Sequence, residues 1–159
     1  MKIIFLLLPL VLFGQTKKFV GKYNNNFGEQ MILNADNSFN YSWGVDTGHG
    51  WANGHWYTKN DTIYFKVVPI YDTVRVVGNK KDTLLLSQNN VPERIEVTEE
   101  DFKYWNLYNL FGQNSSIVSK LFYRDDKLFE IDEKGKLITQ KKYFWWTSKY
   151  LDPWYGKEN

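Results

Sequence analysis

From Lys18 onward the chain is punctuated about every 8–12 residues, where clusters of Asn, Asp, Gly and Lys interrupt short runs rich in β-branched and aromatic residues. That rhythm leaves little room for helices and predicts strands at 18–23, 29–34, 38–44, 51–58, 62–68, 71–77, 83–87 and 93–97. Period-2 alternation supports several of them: Phe39, Tyr41 and Trp43 share one face against Asn40 and Ser42. Likewise Ile63, Phe65 and Val67 share one face against Tyr64 and Lys66. The intervening turns at 24–26, 35–37, 59–61 and 78–81 carry Asn, Asp or Gly, which tolerate the left-handed backbone of tight hairpins. The expected fold is mostly β, a single antiparallel barrel or half-open barrel built from sequential hairpins.

One segment breaks the rhythm. Thr98 followed by Glu99, Glu100 and Asp101 reads as an N-cap with acidic residues complementing a helix dipole, predicting one short helix near 99–111. Phe102, Trp105 and Asn109 would line one stripe and Gly112 would stop it. The acidic cluster can be read as catalytic carboxylates or as capping, and capping is favoured. Strands then resume with a hairpin, 120–124 and 127–131 about Asp125-Asp126, and a turn at 132–135 leads into a strand over 136–146. No linker or composition shift divides residues 15–159, which are expected to form a single domain.

Residues 1–14 read as a signal peptide: Lys2, an apolar run from Ile3 to Phe13, then the small Gly14. The run is well short of the roughly 20 apolar residues of a spanning helix, and no second run of comparable length follows. Export to the periplasm or medium is expected, with Gln15 as the mature first residue and no transmembrane span. With no cysteine, a lipoprotein anchor, disulfides and Cys-ligated zinc are all excluded. About 145 residues would remain, enough for one unstapled core. A net charge of +2 gives no electrostatic case for nucleic acid or an anionic membrane.

Three triplets recur at 61–63, 72–74 and 82–84, each Asp-Thr followed by an aliphatic residue. They can mark equivalent turn-to-strand positions of neighbouring strands in a meander. They also resemble the O-glycosylation acceptor motif of exported Bacteroidota proteins, which would make Thr62, Thr73 and Thr83 candidate acceptors.

Gly21-Lys22-Tyr23, then Met31 to Phe39, then Gly54-His55-Trp56 and the run to Ile63, resemble the small lipocalin-like domains exported by Bacteroidota. Those carry a G-x-W near the mature start, a Leu–Asp turn–Phe strand pair and a second G-x-W; here Tyr23 stands at the first tryptophan. The resemblance covers about residues 18–68 and implies an eight-stranded barrel, closed or half-open, with a cavity for a small apolar ligand. Fold likeness alone carries no function.

Chemistry is sparse. Asp46, His49 and His55 form the only string resembling a metal site, but residues six apart on an extended strand lie about 20 Å from each other, too far to share an ion. The chain has no nucleophile elbow and no phosphate-cradling glycine loop, and no cofactor is implied. Aromatics are the remaining lead. Tyr41, Trp43, Trp51 and Trp56 could line a ligand pocket or simply be core. Trp145, Trp146, Tyr150 and Trp154 could form an interaction surface rimmed by Lys141, Lys142 and Lys149, because neighbouring strand residues face opposite sides. Two readings follow: a non-enzymatic binding module outside the cytoplasm for a small apolar or aromatic ligand, or an envelope protein docking a protein or glycan through its C-terminal aromatics.

Overall fold

A computed structural model describes residues 17–45, 48–108, 112–113, 117–145 and 147–158. The leader read at 1–14, Asp46, Asn109 and Trp146 lie outside these residues, as does the side chain of Trp105. The described chain is mostly β with one short helix. Its strands are β1 (Gly21–Asn24), β2 (Glu29–Leu33), β3 (Ser38–Val45), β4 (Gly48–Lys59), β5 (Thr62–Val67), β6 (Tyr71–Val76), β7 (Asp82–Leu86) and β8 (Arg94–Val97). After the helix α1 (Glu99–Tyr108) come β9 (Lys120–Arg124), β10 (Lys127–Glu130), β11 (Lys142–Phe144), β12 (Lys149–Leu151) and β13 (Tyr155–Lys157).

Eight strands close an antiparallel barrel in the order β1-β13-β10-β9-β5-β4-β3-β2. The turns act as their residues dictate. Asn37, Asn60, Asp125 and Asp126 all have positive φ, the last two consecutively, which gives the two-residue β9–β10 hairpin the twist its strands need. Asn25 Oδ1 accepts the Phe27 and Glu29 amides, and Asp36 Oδ1 accepts the Ser38 amide and hydroxyl, so the β1–β2 and β2–β3 turns are fixed by their own side chains.

The alternation predicted for β3 and β5 holds. Met31, Leu33, Phe39, Tyr41, Ala52, Trp56, Ile63, Leu121, Leu128 and Tyr155 form the buried interior. Phe39 lies opposite Gly54 in the β3–β4 ladder. A methyl on Gly54 would run into the Lys66 carbonyl of β5 and sit 2.8 Å from the Phe39 ring, so glycine is needed there for the neighbouring backbone and the ring to approach the strand. Residues 17–19 form a turn that inserts Phe19 into one end, edge-on to Trp56 and Tyr123. Tyr23 donates its hydroxyl to the Phe19 carbonyl at 2.8 Å and locks that plug.

Two expectations are corrected. The strands after β5 do not continue the barrel: β6, β7 and β8 form a separate sheet ordered β7-β6-β8, whose β6–β8 pair is parallel. Pro69 explains the departure, since it has no N–H to donate and the Val68 amide makes the last bond to β4, at Asn53 O. Nor is 136–146 a single strand. Among the described residues of that range Leu137 makes one isolated bridge to Ile131 and a strand forms only over 142–144, paired with β12 in a hairpin outside the barrel; the strand that closes the barrel between β1 and β10 is the C-terminal β13.

The helix starts where predicted. The Thr98 hydroxyl accepts the Asp101 amide and donates to Asp101 Oδ2, so the acidic first turn acts as a cap. Phe102 on α1 packs on a second small cluster of Val74, Val76 and Val97. Among the described residues no helix is long and apolar enough to cross a membrane.

Candidate functional site

The aromatics picked from the sequence divide between the two faces of the barrel wall. Tyr41 and Trp56 are buried inside and Trp43 packs on the same core. The Trp56 indole donates to the Asn34 carbonyl at 3.2 Å. Trp51 belongs to the opposite set of β4 positions, on the outer wall. The interior is occupied by the protein's own side chains, half of the buried ones aromatic, as in small barrels whose strands leave just enough room for their inward residues.

At the end opposite Phe19 the interior turns polar, a feature the sequence reading did not single out. Glu29 faces Trp43 in the β2–β3 ladder. Its carboxylate accepts the Tyr155 hydroxyl and, at 2.7 Å, the Asn25 amide. Burial, then the nearby Glu29 charge, pushes the Tyr41 and Tyr155 hydroxyls well above the ordinary phenol range. Both stay protonated, and Tyr155 serves as a donor to the carboxylate. Glu130 lies across the mouth and pairs with Lys142 of β11 at 3.0 Å. Lys142 and an edge-on contact between Phe27 and Phe144 hold the β11–β12 hairpin beside the mouth.

That hairpin carries the C-terminal aromatics. Tyr143 and Tyr150 are cross-strand partners with ring centroids 5.3 Å apart, 55% and 67% exposed, and Trp145 at the turn is 68% exposed. The opposite-face argument does not apply to Trp145, which follows the strand rather than lying within it. Trp154 is half-buried against Phe129, with Lys127 over its ring. Of the lysine rim, Lys141 pairs with Asp152 and Lys142 with Glu130, while Lys149 forms no ion pair among the described residues.

On the outer wall lies a groove of about 310 Å³. Asn40, Ser42, Trp51 and Asn53 come from β3 and β4, and Gln88, Asn89 and Asn90 from the loop after β7. The register brings the wall residues together, Asn40 opposite Asn53 and Ser42 opposite Trp51. Trp51 is also where the inserted sheet is moored: its indole donates to Gln88 O at 3.0 Å and its amide to Gly112 O at 3.1 Å. Gln113 completes the attachment by bonding both the amide and the carbonyl of Ile70.

The remaining candidates are dispersed. His49 and His55 are exposed on the outer face of β4, six positions apart, opposite Gly44 and Ser38. Among the described residues no three His, Asp or Glu side chains converge on a common point. The three Asp-Thr triplets do not sit on three neighbouring barrel strands. Asp61 pairs with Lys18, Asp72 is buried and accepts the Glu93 amide, and Asp82 pairs with Arg75 and Arg94. Thr62 lines a second outer groove with Tyr64 and Phe122, Thr73 lies on the central β6, and Thr83 is exposed on the edge strand β7. The chain matches no protein-family model, no curated protein and no solved structure.

Proposed function

We propose that this chain is an exported, non-enzymatic interaction module that docks on an envelope protein through the β11–β12 hairpin. The observation that carries the reading is the exposure of Tyr143, Trp145 and Tyr150 together on one small hairpin. Tyr and Trp combine large contact area with few rotatable bonds and are enriched where proteins meet. Among the described residues no further strand pairs with either edge of the β11–β12 sheet, which suits the addition of a partner's strand. A lumen site for a small apolar ligand is the weaker reading, because the inward aromatics pack on one another.

The test is crosslinking in the native host from a photoreactive residue at position 150. A single envelope protein should be captured, and the capture should be lost in the Tyr143→Ser, Trp145→Ser double variant while the fold is retained. Crosslinks unchanged by that variant would refute the reading. Export is tested separately: the mature protein should begin at Gln15, free or cyclised, and not at Met1.

A further inference from the structure

We propose that the outer groove beside Trp51 is a binding site for a neutral saccharide, distinct from the docking hairpin and independent of it. None of the side chains lining it carries a charge. A phosphate, carboxylate or ammonium ligand would therefore find no counter-charge in the groove. A purely apolar ligand would strip water from its amides and leave them unpaired. What remains is an uncharged molecule rich in groups that both donate and accept hydrogen bonds.

The amides are poised for such a molecule. Asn34 donates to Asn40 Oδ1 at 3.2 Å and Asn40 donates to Asn53 Oδ1 at 2.9 Å. This relay spends the Asn53 oxygen on the protein and leaves its NH2 group as an oriented donor at the groove. On the loop side the Gln88 and Asn90 side-chain amides, and on the wall the Ser42 hydroxyl, have no hydrogen-bond partner among the described residues. An amide both donates and accepts, which matches vicinal sugar hydroxyls.

Trp51 supplies the complement. Its one polar atom is committed to the Gln88 carbonyl, so only its apolar ring surface is left for a ligand. A sugar ring has a C–H face that can lie on such a surface while its hydroxyls meet the amides. The loop is held in place beforehand. The Ser87 amide bonds Ile70 O at 2.9 Å, the Asn89 amide bonds Ser87 Oγ at 3.1 Å, the Asn89 side chain bonds Glu93 Oε1 at 2.9 Å, and the Glu93 amide bonds the buried Asp72 carboxylate at 2.9 Å. At about 310 Å³ the groove is at the small end of ligand sites, suited to a short saccharide.

The full mature chain can be titrated with cellobiose, chitobiose, lactose and maltose up to their solubility limits while the Trp51 indole N–H resonance is followed by NMR. At least one disaccharide should shift that resonance. The Gln88→Ala, Asn90→Ala double variant should weaken its binding about tenfold or more without changing the melting temperature, because neither side chain holds the fold. Trp51→Ala also removes the mooring of the inserted sheet, so the loop variant is the decisive one. Four results overturn the proposal: no disaccharide moves the resonance, adenosine moves it more than any of them, the shifts map to the hairpin, or the loop variant binds as well as the wild type.

Discussion

The barrel and the sheet inserted after β5 are made of the same kind of strand, short and alternating, yet they hold together differently. The barrel buries one continuous interior in which Phe19, Trp56, Phe39 and Tyr155 are all nearly inaccessible, and every strand has two antiparallel neighbours. The inserted sheet has three strands, one parallel pair and a cluster of three valines with Leu85, Ile95 and Phe102 against it. It is moored to the barrel through Trp51 and Gln113. Closure removes strand edges and lets every interior side chain support the others, whereas an open sheet of three strands depends on its attachment.

The largest effect should come from the barrel interior. Trp56→Ala removes a buried ring and an indole bond and should cost about 3–5 kcal/mol, seen as a lower urea midpoint for the whole barrel. Unfolding confined to the inserted sheet would break the comparison.

Alkali should act on the barrel next. Burial, followed by neighbouring groups, raises the folded pKa of Tyr23, Tyr41 and Tyr155 above the ordinary value of about 10. Groups with raised folded values contribute stability that is complete below about pH 10 and is lost as the pH climbs through those values. Phenolate absorbance from these three should therefore appear together with loss of the β signal. Titration of all 11 tyrosines in an intact barrel would contradict this.

In the inserted sheet, Asp72→Ala removes the buried acceptor of the Glu93 amide and should cost about 1–3 kcal/mol. Hydrogen exchange should show β6–β8 opening faster while the barrel amides keep their protection; a uniform change would mean the two regions unfold as one. The smallest effect is expected at the helix start. Thr98→Ala should cost about 1 kcal/mol, read as faster exchange in the first turn of α1 with little change in the barrel.

Much of this was legible locally because its causes are local. The Asn and Asp turns, the inward sets on β3 and β5 and the Thr98 cap each depend on residues within a few positions of one another, so the sequence alone determined a mostly β chain with one short helix. It determined as well that Tyr41 and Trp43 share a face and that Asp125-Asp126 turns a hairpin. Pro69 was an overlooked signal, a residue unable to donate to the next ladder just where the chain leaves the barrel.

Pairing across long separations was decided only by the tertiary structure. β5 takes β9 as its neighbour although three strands and a helix intervene, and the last strand closes on the first. Neither partner is specified by periodicity, which sets the face a residue occupies but not the strand beside it. The candidate groove belongs to this second kind of information. Trp51 and Asn53 come from the barrel wall and Gln88 and Asn90 from a loop nearly forty residues away, and only the folding of the inserted sheet back onto β4 brings their side chains to one surface.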